Sequence, residues 1–308
     1  LTDLAAPEKE ATPFVEVGEV EGLSEKPESF GRQAWDRFRK HKVAIAGAVL
    51  LVLIILLFIF APMFTPYAPD EPNVLERNQG PSLDHPFGTD DLGRDLMARV
   101  FTGGRVSLLI AFIVSLVATS LGTLLGAIAG YLGGFTDTAV SQVINLFLAV
   151  PLLPVLLVFA VRFGSNPISV ALLLSVFLWI RAARVVRGQF LSLKSMEFVQ
   201  AARAMGAKPM RIIGRHILPN TLGPILVEAT LLAGLAIILE STLSFLGLGV
   251  KPPDTSLGVL VDEAKGFITD RPTRILIPGS MITLIVLSIN FLGDGLRDAL
   301  DPTSRVGD

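Results

Sequence analysis

The chain has no cysteine among its 308 residues, which excludes disulfides, thiol nucleophiles and thiolate metal sites. Histidine is nearly missing as well: His41, His85 and His216 lie far apart in sequence. Zinc-protease, EF-hand, nucleophile-elbow and P-loop patterns do not occur, so the chain carries no recognisable phosphate-binding or hydrolytic apparatus of its own. Charge is scarce. Only 18% of residues are charged against 51% hydrophobic, and mean hydropathy is +0.61, too apolar for a soluble chain of this size. A net charge of −2 gives no general attraction to nucleic acid, and the basic residues cluster locally instead. The order of a cleavable signal, basic stretch then short apolar core, is not seen: an acidic leader precedes the first apolar run near Val43.

What the chain has is long apolar runs. A bilayer core of about 30 Å takes roughly 20 helical residues. Six runs qualify, at about 43–64, 106–130, 138–161, 168–186, 222–246 and 275–295, and they predict an all-α integral membrane protein. The third and fourth hold Pro151, Pro154 and Arg181, tolerable where neighbouring helices satisfy the freed carbonyls. Lys and Arg set the expected direction. Arg32, Arg37, Arg39, Lys40 and Lys42 precede the first run. Arg184, Arg187, Lys194, Arg203, Lys208, Arg211 and Arg215, against Glu197 alone, fill the loop after the fourth. Both belong inside, and with six crossings both termini are expected in the cytoplasm.

The expected organisation follows. Residues 1–29, with eight acids and two bases, form a disordered cytoplasmic tail. Residues 30–42 place Phe30, Ala34, Trp35 and Phe38 at helical spacing and form an amphipathic interfacial helix, or else a plain basic flank. The first span, 43–64, leads to an outer loop, 65–105, then to a core of five spans over 106–302 and a tail at 303–308. Within the outer loop, Asp91 to Val100 reads as an amphipathic helix. Thr89 or Asp90 would cap it, and Asp91 with Arg94 and Asp95 with Arg99 would pair on its surface. A second outer helix is expected over 257–267, with Asp262, Glu263 and Lys265 on a solvated face.

Within the inside loop, 187–221, Met196 to Met205 contains helix formers without Gly or Pro. Gly206 suits the left-handed residue that ends a helix. Ala201, Ala202 and Ala204 present a small-residue surface, and Pro219-Asn220 restarts the chain toward the membrane. Such a basic, rigidly tied helix is either a docking element or a cap on the bundle. Gly122, Gly126 and Gly130 form a GxxxGxxxG stripe suited to close helix packing, with a hinge or pore-lining role as the alternative. Glu240, roughly 27 Å along the fifth run from Leu222, is costly in lipid and must face the bundle or water. It is a candidate for the pathway or outer gate, or for an interhelical hydrogen bond. Glu228, Asn145 and Ser141 offer weaker forms of the same choice.

The inside loop resembles the cytoplasmic "EAA" loop of bacterial ABC-importer permeases: Glu-Ala-Ala, a Gly about one turn later, and a downstream Ile-x-Leu-Pro. Here the pattern is Gln200-Ala201-Ala202, Gly206 and Ile217-Leu218-Pro219, with Gln in the Glu position and no residue between Ile and Leu. Arg215-His216-Ile217-Leu218-Pro219-Asn220 is similar to the peptide/nickel branch. So are His85 through Asp95, Gly104 through Leu108, Leu243 through Gly249, Pro252-Pro253-Asp254 and Gly293 through Pro302. The likeness covers roughly 30–302 and, with its extra first helix, looks like the "C" subunit of dipeptide, oligopeptide, nickel or glutathione importers.

That resemblance implies a type I ABC importer permease fold and a transport subunit rather than an enzyme. It implies a homologous second permease, two ATPase subunits or a fused ATPase, and an extracytoplasmic solute-binding protein, all at the bacterial plasma membrane. ATP and Mg would belong to the ATPases, with no cofactor on this chain. Phe198, Gln200, Ala201, Ala202, Met205 and Gly206 would couple to an ATPase, and the pore would work by alternating access. Within the family, nickel, glutathione or oligosaccharide uptake stay open beside peptides. Two other classes compete. An ion-coupled secondary transporter or channel needs several buried charges and internal repeats, and a membrane enzyme needs clustered reactive side chains; neither pattern is evident.

Overall fold

The computed structural model describes residues 30–163 and 166–300. The tails expected at 1–29 and 303–308 lie outside the described residues. Everything described is helix, turn or loop apart from one isolated bridge between Thr89 and Asp95. Helix α1 (Phe30–Lys40) is basic in its last turn and leaves Trp35 exposed and stacked on Phe38. His41 breaks the helix and caps α2 (Lys42–Ile59), its Nδ1 accepting from the Ala44 amide at 3.1 Å. The first span thus ends at Ile59, short of the expected 64, and a 3-10 turn follows at Ala61–Met63.

Helix α3 (Leu96–Leu132) is one unbroken rod of 37 residues, so the expected boundary at 105 does not exist. The amphipathic helix predicted from Asp91 is likewise corrected. Residues 91 and 92 form a turn, 93 and 94 are irregular, Asp95 sits in the isolated bridge, and helix begins only at Leu96. The cap is Asp95, whose Oδ1 accepts from the Ala98 amide at 2.7 Å, and not Thr89 or Asp90. The turn is imposed by Gly93, at φ +80, where a Cβ would sit 1.8 Å from the Asn73 carbonyl oxygen.

Helices α4 (Gly134–Ala149) and α5 (Leu152–Phe163) replace the straight third span and meet at 88°. Pro151 lacks an amide hydrogen and pushes Val150 into extended backbone, which opens the ladder at that point. Helix α6 (Pro167–Leu193) outlasts its expected end by about two turns. A short α7 (Glu197–Ala204) follows, then α8 (Pro209–Ile212), a π-turn (Ile213–Ile217) and α9 (Leu218–Phe245) in unbroken succession. The chain therefore restarts at Pro209, ten residues before the expected Pro219, and the π-turn absorbs the amide hydrogen bond that Pro219 cannot make. Helices α10 (Leu257–Ala264) and α11 (Thr273–Leu300) complete the order.

Helix direction counts the crossings. Gly122 of α3 lies against Trp179 and Ala182 of α6, Gly126 against Ala183 and Val186, and Gly130 against Arg187 and Phe190. Positions rise together, so α3 and α6 run parallel. The α4–α5 elbow must therefore return the chain to the far side and counts as one crossing. Gly47 against Ser288 and Gly295 against Ala44 make α2 and α11 antiparallel; Gly223 against Leu300 and Gly293 against Thr230 do the same for α9 and α11. Among the described residues five helices are long and apolar enough to cross a membrane, and the elbow makes six.

Among the described residues the core lies in three clusters. One, including Ile110, Val114, Leu156, Leu174, Leu232 and Leu243, joins α3, α5, α6 and α9. Phe58, Phe101, Leu257 and Ile285 join α2, α3, α10 and α11. Val186, Phe190, Val199, Ile212 and Ile217 seat α7 on the bundle. Leu53, Phe112, Val158 and Ile168 point outward and exposed, as lipid-facing positions do.

Candidate functional site

Helix α7 ends in a Schellman turn. The Gly206 amide donates to Arg203 O and the Ala207 amide to Ala202 O, with Gly206 at φ +81. Its buried face is Val199 and Ala202, and its outer face shows Phe198, Gln200, Ala201 and Met205, the last 81% exposed. Ala202 is thus turned into the bundle and away from the outer surface. Met196 and Met210 flank the helix and are also exposed. Gln200 donates from Nε2 to Ser195 O at 3.1 Å, a local bond that a carboxylate in its place could not make. The platform is anchored behind: Lys194 donates to Gly130 O at 2.8 Å, and Arg187 grips both Asp137 oxygens at 2.5 and 2.8 Å.

The glycine stripe is a seam. A Cβ at Gly122, Gly126 or Gly130 would lie 2.5–2.6 Å from Trp179 O, Ala183 O or Phe190 Cβ, so α6 approaches α3 backbone to backbone.

Glu240 is fully buried. Its carboxylate accepts from Ser107 of α3 at 3.2 Å, Ser244 of α9 at 2.7 Å and Ser256, the α10 cap, at 2.6 Å. Sequence reasoning singled out the acid but not these serines. An acid in an apolar run calls for donors, yet Ser107 is 133 positions away. Glu228 meets Arg181 of α6, Nε to Oε1, at 3.1 Å. Asn145 is exposed, and the Ser141 hydroxyl is buried without a hydrogen-bond partner among the described residues.

At the end remote from α7, the loop before α3 is held by charge. Asp90 accepts from the amides of Leu92 and Arg94 at 2.9 Å and from the guanidinium groups of Arg94 and Arg99 at 2.6 and 2.9 Å. Burial alone would raise its pKa, but the Arg94 hydrogen bonds and the Arg94 and Arg99 charges hold it below its usual value. The expected pairs of Asp91 with Arg94 and Asp95 with Arg99 are replaced by this one. Glu263 is not on a freely solvated face: it pairs with Arg94 and Arg99 and ties α10 to the loop, while Lys265 does pair with Asp262 at 2.5 Å. Asp95 uses its second oxygen to hold His85 Nδ1 at 2.8 Å, and Glu76 faces His85 Nε2 at 3.3 Å. Burial opposes the charged imidazole, but the Asp95 and Glu76 hydrogen bonds outweigh it and raise the His85 pKa. Among the described residues no group of His, Asp and Glu is arranged to hold a metal ion.

Six crossings, a glycine-seamed bundle and an exposed helix at the basic end define a multi-pass helical membrane protein. The chain belongs to the family described as binding-protein-dependent transport system inner membrane component, matched over residues 122–306; residues 29–81 match the N-terminal TM domain of oligopeptide transport permease C. It is 40% identical over 288 residues to the oligopeptide transport system permease protein OppC of Bacillus subtilis, covering 94% of each chain. It is 40% identical over 292 residues to OppC of Escherichia coli, covering 93% of this chain and 97% of that one. The dipeptide permease protein DppC of Alkalihalophilus pseudofirmus is 41% identical over 274 residues, 89% of this chain and 90% of that one. Among solved structures, the inward-facing MetNI methionine ABC transporter has a chain of the same fold, with TM-score 0.57 and 23% identity over 67% of this chain and 98% of that one.

Proposed function

We propose that this chain forms half of the translocation pore of a peptide importer and moves di- or oligopeptides by alternating access. The observation that carries the reading is α7: a short helix presenting Phe198, Ala201 and Met205 outward on a platform that Lys194 and Arg187 bolt to α3 and α4. Identity of about 40% to oligopeptide and dipeptide permease proteins over nine-tenths of the chain supplies the substrate class. The Lys/Arg bias supports a cytoplasmic α7 and cytoplasmic termini.

A homologous second permease completes the pore, and two ATPase subunits, or a fused one, hold ATP and Mg beneath it. Phe198, Gln200, Ala201 and Met205 enter a cleft on one ATPase, with Gly206 fixing the helix end and Ala202 seating it. A solute-binding protein delivers substrate at the face carrying α10. Closure of the ATPase pair pulls α7, and the bundles rock as rigid bodies.

The test is purification of the tagged chain followed by reconstitution with what accompanies it. Co-isolation of ATPases, a second permease and a binding protein, with ATP-dependent peptide uptake, is the expected result. Peptide transport by the chain alone without ATP overturns the proposal.

A further inference from the structure

Arg181 and Glu228 play no part in the docking surface. Glu228 is buried on α9, while the Arg181 side chain is 52% exposed. Only Nε of Arg181 is engaged, by Glu228 Oε1 at 3.1 Å; its two terminal nitrogens meet no acceptor among the described residues. Arg181 lines an open cavity of about 1010 Å³ between the α4–α5 elbow and α6. Phe147, Pro151, Phe159 and Phe177 stand in its wall, and Arg181 is the one charged residue in the lining, with Ser169 the one other polar side chain.

Depth matters. Counting 1.5 Å per residue from the inner ends of the apolar runs at 186, 222 and 138, Arg181 lies ~8 Å in, Glu228 ~9 Å and the exposed Asn145 ~11 Å. All three therefore sit within the inner half of a bilayer core of roughly 30 Å. Unsatisfied guanidinium hydrogens at that depth are not stable against hydrocarbon and must meet water or an anion.

We infer that Arg181 is a contact site in the translocation pathway for the terminal carboxylate of a passing peptide, a deepening that rests on the peptide reading above. A guanidinium fork matches a carboxylate with two parallel bonds. The C-terminal carboxylate is the group that peptides share whatever their side chains, and the apolar remainder of the wall makes no demand on those side chains. Glu228 does two things: it fixes the direction of the fork from behind, and its negative charge weakens the hold on a second carboxylate. A transit site needs that weakness, because the solute has to leave.

The experiment uses the complete complex in proteoliposomes, with a mixed tripeptide pool as free acids and the same pool as C-terminal amides, each saturating the binding protein. If the wild-type complex imports no peptide, the peptide reading falls and this inference with it. If it does, Arg181→Gln is expected to slow free-acid uptake at least about tenfold and amide uptake less than about twofold, with binding-protein-stimulated ATP hydrolysis unchanged. Arg181→Lys should recover part of the free-acid rate. The exchange Arg181→Glu with Glu228→Arg keeps the pair but puts an anion on the wall, and should import free acids no better than Arg181→Gln. Equal slowing of acids and amides, undiminished free-acid uptake, full recovery in the exchange, or loss of the second permease from purified Arg181→Gln complex each overturns the inference and leaves the peptide reading standing.

Discussion

Gly126→Ala tests whether the α3–α6 seam is set by backbone contact. The added Cβ would lie 2.5 Å from Ala183 O, 3.0 Å from Arg187 N and 3.1 Å from Val186 Cβ. Two of those three are backbone atoms of a long helix and cannot swing aside, so α6 has to retreat by nearly 1 Å to restore ordinary contact. Gly122 and Gly130 lie on the same line, one turn to either side, so the retreat opens their contacts as well. Overpacking of this kind costs about 1–3 kcal/mol, and the better helix propensity of Ala returns up to about 1 kcal/mol. A net loss of about 1–2 kcal/mol should lower the apparent thermal midpoint in detergent by roughly 2–8 °C at a fixed scan rate. Gly188 in α6 is the control: nothing lies within 4 Å of a Cβ there, so Gly188→Ala should hold or raise the midpoint. A Gly126→Ala midpoint equal to or above that of Gly188→Ala refutes the reasoning.

Three further outcomes are expected. Ser256→Ala removes both a donor to buried Glu240 and the α10 cap, whose Oγ accepts from the Val259 amide at 3.2 Å; a loss of about 2–3 kcal/mol should appear as a lower thermal midpoint, and an unchanged midpoint counts against the network. His85 has a raised pKa, so its stabilisation of the loop is complete below the ordinary imidazole value of about 6.5 and fades as pH climbs through the raised value. Amides of residues 76–95 should therefore lose exchange protection on going from about pH 6 to about pH 8.5 in the wild type but not in His85→Gln, and protection that stays flat in the wild type contradicts the assignment. A Cβ at Gly206 meets no atom within 4 Å, but Gly206→Val places a β-branched residue at φ +81, so the Schellman turn should loosen at a cost of about 1–3 kcal/mol. Fewer ATPase subunits should co-purify although membrane insertion is normal, and undiminished assembly and transport would show that the turn does not matter.

Sequence reasoning reached the crossings because the apolar runs are physically obligatory: a bilayer admits little else. It reached α7 and Gly206 because a helix of this kind is coded locally, by its formers and by the residue that tolerates positive φ. It failed where a local pattern had a distant partner. The stretch from Asp91 to Val100 has helical periodicity, but Asp90 and Asp95 spend their oxygens on Arg94, Arg99 and His85, and the backbone turns there instead. Pro151 was visible as a weakness in the third run; an 88° elbow was not, because the angle is fixed by packing against α6. Ser107 and Ser256 lie 133 and 16 positions from Glu240, and Arg181 lies 47 from Glu228, and one sequence gives no means of matching them.

The π-turn has a mechanical consequence. Because it lets Pro219 sit inside a helix that continues from Pro209 to Phe245, the segment following α7 is one strut of 37 residues, ~55 Å end to end. Pro224 also lies inside it, and moved as one body the strut works as a lever. Tilting it by about 5° around its middle moves each tip by ~2.4 Å. Glu240 sits near the far tip, where its bonds to Ser107 and Ser256 span 3.2 and 2.6 Å and would not survive so large a displacement. A pull applied at one face of the membrane would thus be felt at the other as the breaking of a few identifiable hydrogen bonds.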